Sequence, residues 1–328
     1  MTPLQFEAAH AAAWQELEAA LGELPTKKRD NAPADRARIA ALYRAACEHL
    51  AVAEARSYPV WLIERLETLT ARGHQRIYRE TDFGLDKLAR LFLVDFPAAV
   101  RAHRLHVLVA LIAFAGPLVV TGALAYLDPG FVLSLHDAGS VDLFERMYGD
   151  ADGPIGRRSA ESDWQMFGFY IFNNIRIAFQ CFAGGLFFGI GSLFFLALNG
   201  ALAGSIAGYV TWRGFGGNFY SFVVTHGAFE LTGIVLAGAA GLALGHALLA
   251  PGRRSRLAAL VDAARSAIVI VYGMTAMFAI AAALEAFWSS ARWVPQTMKF
   301  GVGAGCWIVV VAYFVFQGRS RKLAAPER

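Results

Sequence analysis

The first hundred residues mix polar and apolar side chains with a helical period, while most of the remaining chain runs apolar for some twenty residues at a time. In the N-terminal part Trp14, Leu17, Leu21 and Leu24 recur three or four apart, as do Ile39, Leu42, Ala46 and Leu50, and then Leu62, Ile63, Leu66 and Leu69. This spacing lines one face of a helix, so it predicts three amphipathic helices. Pro33 and Pro59 stand near the starts of the second and third, where a missing N–H leaves no intrahelical bond unmade. A fourth stretch, 85–100, places Leu88, Leu91, Phe92 and Phe96 on one side and Asp86, Lys87 and Arg90 elsewhere, a pattern suited to lying along a membrane interface.

From 105 to 127 there are 23 residues with no charged side chain, enough for a tilted helix across a hydrocarbon core of about 30 Å. Further apolar runs cover 166–212, interrupted only by Arg176, 214–252, interrupted only by Glu230, and then 266–284 and 300–317. Arg101 and Arg104 precede the first span, Arg253, Arg254, Arg256 and Arg265 share one loop, and Arg319, Arg321 and Lys322 close the chain. Basic residues concentrate on the cytoplasmic side, so these segments read as inside. The connection 128–165 carries eight acidic residues against Arg146, Arg157 and Arg158, and reads as outside. Both termini are then cytoplasmic and the number of crossings is even.

Parity demands an odd number of crossings between 165 and 253. The run 177–212 is 36 residues, roughly 54 Å of helix, which is long for one span and short for two. Asn199-Gly200 is the best turn within it. Three crossings are expected: about 171–198, a short glycine-rich 200–213, and about 220–250. The competing layout has one long tilted helix and a re-entrant segment, tolerated at that depth only where protein or water covers its backbone. The expected architecture is an all-α polytopic membrane helix bundle of about six transmembrane helices over 105–328. A cytosolic helical domain with its interfacial helix precedes it at 1–104.

Composition narrows the function classes. The chain has 328 residues, 56% hydrophobic and only 17% charged, too apolar for an ordinary soluble protein. Residues 1–104 hold 15 Lys/Arg and 14 Asp/Glu, about half of all the charges. They start with no basic stretch leading into an apolar core, so no cleavable signal is expected. A net charge of +4 offers no basic face for nucleic acid. Cys47, Cys181 and Cys306 are scattered without pairing and read as small buried apolar residues. No nucleophile elbow, phosphate-binding loop or zinc-protease motif occurs, and no cofactor is signalled. The acids of the outer loop read as a solvated surface.

Within the apolar spans, glycines recur at four in Gly185 and Gly189, Gly200, Gly204 and Gly208, Gly241 and Gly245, and Gly301 and Gly305. That spacing lets helix backbones approach closely, within one chain or between copies in a homo-oligomer. Ionisable side chains in a span are costly and point to function. His226 and Glu230 lie four apart, on one helix face. They can relay a proton, ligate a cation or grip a polar group, or form a structural hydrogen bond; two ligands make no metal site without a third from elsewhere. Asn173, Asn174 and Arg176 sit at the outer end of the second span, where Arg176 can pair with Glu230, hold an anionic headgroup or snorkel to the interface. Glu285, followed by Phe287 and Trp288, reads as a wet glutamate at a helix end beside an interfacial aromatic belt. His246, near a cytoplasmic end, reads as structural.

Asn173-Asn174-Ile175-Arg176, Asn199-Gly200, His226-Gly227-Ala228-Phe229-Glu230, the glycine run 239–245, Pro251-Gly252 and Glu285-Ala286-Phe287 together resemble the stage II sporulation protein M family over about 165–290. The resemblance implies an integral protein of the bacterial inner membrane. In spore formers such proteins are similar in role to a membrane anchor for a cell-wall-degrading complex. Relatives in bacteria that form no spores occur beside genes for AAA+ ATPases and von Willebrand-type proteins, and the long N-terminal helices here depart from the compact sporulation form. Two functions are therefore expected ahead of a third, a membrane enzyme with His226 and Glu230 as acid and base, for which no nucleophile or metal set is visible. One is a non-enzymatic scaffold that recruits such partners in envelope remodelling. The other is a transporter or channel-like protein for a lipid-linked, polar or ionic substrate, with His226 and Glu230 as its site and Arg176 as its anion contact.

Overall fold

The computed structural model describes residues 1–22, 33–78, 84–149, 160–291 and 293–319, without the side chains of 33–36, 75–78 and 160–162. Its residues fall into two units, Met1–Lys87 and Leu88–Arg328. The division lies short of the expected boundary at 104. Phe96 explains why: its ring packs on Gly273 and edge-on to Phe314, 5.3 Å between centroids, which ties 88–104 to the second unit.

The described residues of the first unit form three long helices, α1 (Pro3–Gly22), α2 (Pro33–Ala55) and α3 (Val60–Tyr78). Phe6, Trp14, Leu17, Ala46, Ala53, Leu62, Leu66 and Leu69 form its core, with Leu21, Ile39, Leu42, Leu50 and Ile63 packed at the margin. Leu24 lies outside the described residues. The Pro59 carbonyl accepts the Leu62 N–H at 2.9 Å, starting α3 directly after the proline. Arg65 holds α3 to α1 through Glu7 at 3.1 Å and lies 5.7 Å over the Trp14 ring.

The second unit begins within α4 (Leu85–Arg90), which is followed by a π-helical turn Leu91–Asp95 and α5 (Phe96–Ala102). Long helices come next: α6 (Arg104–Leu127), α8 (Ala160–Ala183), α9 (Ile190–Trp212), α10 (Gly216–Leu249), α11 (Arg256–Ala283) and α12 (Gln296–Phe316). Among the described residues, five helices are long and apolar enough to cross a membrane: α6, α9, α10, α12, and α11 with its π-helical extension Leu284–Ser289. The sixth, α8, is equally long but carries Asn173, Asn174 and Arg176. α10 is the axle of the bundle, buried without interruption from Gly233 to Gly245. A helix apolar all round lies in a protein core or in lipid, and this one is enclosed by protein.

Contacts between specific residues set the directions of the helices. Gly200, Gly204 and Gly208 of α9 sit on the carbonyls of Phe114, Leu118 and Gly122 in the same order, so α6 and α9 run parallel. Leu196 lies on Gly238 and Gly189 on Gly245, so α9 and α10 are antiparallel. Phe278 packs on Gly233 and Ser289 on His226, making α11 antiparallel to α10 as well. Asn218 bonds Gln296 and Thr225 bonds the Lys299 carbonyl, so α12 runs with α10.

The turn expected at Asn199-Gly200 does not exist. Asn199 lies inside α9 and its Nδ2 donates to the Phe195 carbonyl at 2.7 Å, while Gly200 is used for contact with α6. The chain reverses instead at a 3₁₀ turn, Gly184–Leu186, and at Gly189, whose φ of +84° suits glycine alone without strain. Gly184 and Gly191 let the two legs meet, since a Cβ on Gly184 would stand 2.6 Å from the Gly191 carbonyl carbon. The crossing expected at 200–213 is thus the second half of α9, and the helix before it starts at Ala160 rather than near 171.

The described part of the 128–165 connection is largely helical. It contains a 3₁₀ turn, Pro129–Ser134, and α7 (Ala138–Tyr148). Asp128 and Asp137 cap these elements, Asp137 accepting the Ser140 N–H at 3.0 Å. Glu145 pairs with Arg213 at 3.0 Å and accepts from the Tyr209 hydroxyl, and Asn218 donates to the Tyr148 carbonyl at 2.8 Å.

Candidate functional site

His226 and Glu230 occupy one face of α10, and the π-helical segment after α11 lays Glu285 and Ser289 against them. Both pairs are spaced by four. Because the helices are antiparallel, His226 falls opposite Ser289 and Glu230 opposite Glu285. Imidazole nitrogen and carboxylate oxygens of His226, Glu230 and Glu285 all lie within 4.8 Å of one another. His226 Nε2 is 3.8 Å from Glu230 Oε2, with the His226 side chain 5% exposed and that of Glu230 19%. The other ring nitrogen, Nδ1, is 3.0 Å from the Ser289 hydroxyl.

The surroundings close over this cluster. Phe222 stands edge-on to the His226 ring at 5.2 Å between centroids, and Tyr148 of α7 packs on Phe222 and Phe219. Burial pushes the Tyr148 phenol well above its ordinary range, so it stays a neutral hydroxyl. Lys299 of α12 is buried and donates to the Ser289 carbonyl at 2.7 Å. Among the described residues neither Glu230 nor Glu285 has a lysine or arginine within ion-pair distance; the group that faces Glu230 is the His226 imidazole. Two carboxylates this close in a low-dielectric interior cannot both stay ionised without a proton or a cation between them.

The other sequence-predicted residues separate. Glu285 is partly buried inside a helix rather than wet at its end, because the helix continues as a π-segment through Ser289 and faces α10. Arg176 is exposed and donates to Asn173 Oδ1 at 3.1 Å; no pairing with Glu230 forms among the described residues. Asn174 is buried, and its Nδ2 has no hydrogen-bond partner among the described residues. Asn199 bonds within its own helix. His246 is 3.2 Å from His106, at the opposite end of the bundle from Tyr148. Gly185 and Gly241 meet backbone to backbone, as do Gly189 and Gly245, and Gly200, Gly204 and Gly208 press on α6 carbonyls. A Cβ on Gly301 or Gly305 would meet nothing within 4 Å among the described residues.

Ser289, Lys299 and Tyr148 carry no signal in the sequence that marks them for this site. The spacing of Glu285 and Ser289 mirrors that of His226 and Glu230, but nothing local states that the two helices face each other.

The helical bundle, its apolar spans and its enclosed ionisable cluster define an α-helical polytopic membrane protein. Residues 105–290, more than half of the chain, match the model of the family described as Stage II sporulation protein M, and the chain belongs to that family. The match covers α6 through the π-segment and so includes His226, Glu230, Glu285 and Ser289. Residues 4–79 match a second family, described as Domain of unknown function (DUF8413). No curated protein and no solved structure matches the chain.

Proposed function

We propose that the protein is a non-enzymatic membrane anchor of the bacterial inner membrane that recruits partners for cell-envelope remodelling through its N-terminal three-helix unit and outer segment. The observation that carries this reading is the backbone-to-backbone packing of α6, α9 and α10. A Cβ at Gly185, Gly200, Gly204, Gly208, Gly241 or Gly245 would overlap a neighbouring backbone. A bundle packed this closely resists sliding, which suits a fixed platform better than an alternating gate. Envelope-remodelling proteins, or AAA+ ATPases and von Willebrand-type proteins, are the partners proposed. Crosslinking in native membranes followed by purification of the full chain is expected to return such proteins reproducibly. Recovery of the bare chain across several detergents would sink the anchor.

The proposed orientation has both termini in the cytoplasm. Arg101, Arg104, Arg253, Arg254 and Arg256 collect at the bundle end where His106 meets His246, and the acidic α7 lies at the other.

A second reading, a transporter or channel-like protein for an ionic, polar or lipid-linked substrate, is favoured by the enclosed cluster of His226, Glu230 and Glu285. Its test is flux in proteoliposomes with Glu230→Gln beside the wild type. Loss of flux in the variant supports transport; equal flux in both, or none in the wild type, removes it.

A further inference from the structure

A divalent transition-metal site needs three or more convergent ligands, a fixed imidazole tautomer and negative charge without another counter-ion. The pair His226 and Glu230 meets only part of this. Glu285, distant in sequence, supplies the missing ligand: one nitrogen and two carboxylate groups converge within 4.8 Å from two antiparallel helices. We propose that His226, Glu230 and Glu285 bind one divalent transition-metal ion of the zinc class.

The geometry assigns a role to each atom. When the Ser289 hydroxyl accepts the Nδ1–H at 3.0 Å, the lone pair of His226 sits on Nε2, the nitrogen that faces Glu230. An outer hydroxyl that orients a ligand histidine in this way fixes both its tautomer and its ring plane. Zinc-class ions sit about 2.0–2.2 Å from nitrogen and oxygen ligands, so tetrahedral ligand atoms stand roughly 3.3 Å apart. The 3.8 Å between Nε2 and Oε2 needs to close by only a fraction of an ångström. Charge points the same way: two carboxylates and a neutral imidazole balance a dication, and the Lys299 ammonium is engaged by the Ser289 carbonyl. A hard, many-oxygen ion such as calcium is poorly served by three ligands that include an imidazole. With three protein ligands, a fourth position is left for water or a substrate group. The site is compatible with an anchor or a transporter, so its fate is separate from theirs.

Cobalt titration of the purified full chain in detergent tests the proposal, because tetrahedral cobalt has visible absorption bands that zinc displaces. The wild type is expected to bind about one equivalent, with those bands bleached by zinc. Glu285→Gln and His226→Gln are expected to abolish binding, and Ser289→Ala to weaken it by about 10- to 100-fold, the usual effect of removing an outer-shell partner. His246→Ala, at the far end of the bundle, keeps wild-type binding. Each variant is checked for a monodisperse elution profile, so that loss of fold is not read as loss of a ligand. The folded wild type alone also decides: no stoichiometric cobalt, with an infrared band of a protonated carboxyl at neutral pH, means that the two glutamates share a proton instead, and the proposal falls. Unchanged binding in Glu285→Gln overturns it equally.

Discussion

Gly200 and Gly301 belong to the same four-residue pattern and differ entirely in what a methyl group would meet. On Gly200 it would overlap the Phe114 carbonyl oxygen; on Gly301 it would meet nothing within 4 Å among the described residues. Gly200→Ala is therefore expected to destabilise the bundle by about 1–3 kcal/mol, the range for overpacking, and Gly301→Ala by less than about 0.5 kcal/mol. Thermal unfolding in one detergent checks both. His49 supplies a pH dependence. Its Nδ1 accepts the Trp14 indole N–H at 3.1 Å and its ring stacks on His10 at 3.8 Å. Burial and then the His10 charge lower its pKa below 6.5. In the window beneath 6.5 the unfolded chain holds the extra proton, so the three-helix unit is most stable above that value and loses stability as the pH falls through it. Amide protection of α1 and α2 in the full chain should drop between pH 7 and pH 5, and His49→Gln should flatten the change. At this scale the sequence is legible wherever spacing along a single helix carries the signal, as with His226 and Glu230. It is silent wherever a contact crosses helices: Glu285 reads as a helix-end acid until its opposite face is known.

The helical elements of the N-terminal unit follow from their apolar periods, because an amphipathic face can be buried in only one way. The reversal between α8 and α9 is harder to see. Asn-Gly favours a turn by its local chemistry, yet helix packing on α6 claims Gly200, and the turn falls at Gly189. Gly189→Ala forces an L residue to φ near +84° and should cost about 1 kcal/mol or more, whereas Asn199→Ala removes only a bond within its own helix and should cost less than about 0.5 kcal/mol. Comparing the two unfolding curves decides which of the sites is the real corner. The π-segment Leu284–Ser289 has no sequence signature either, although it aims Glu285 and Ser289 at α10.

For the whole molecule, the alternation of helix directions brings the starts of α6 and α11 and the ends of α10 and α12 to one end of the bundle. In the proposed orientation, Ser140→Cys in α7 and Arg254→Cys after α10 should react with a membrane-impermeant thiol reagent from opposite sides of the membrane. Each is placed in a background with Cys47, Cys181 and Cys306 replaced by alanine. Labelling of both from the same side would reject the arrangement. Length, apolar content and charge placement alone specified a helical membrane bundle with a charged N-terminal segment, because transfer of apolar surface and of charge depends on local composition. Which side chains meet was decided by tertiary structure. The register of α10 against its antiparallel neighbour depends on glycine contacts summed along both helices, and no stretch of either helix contains that information by itself.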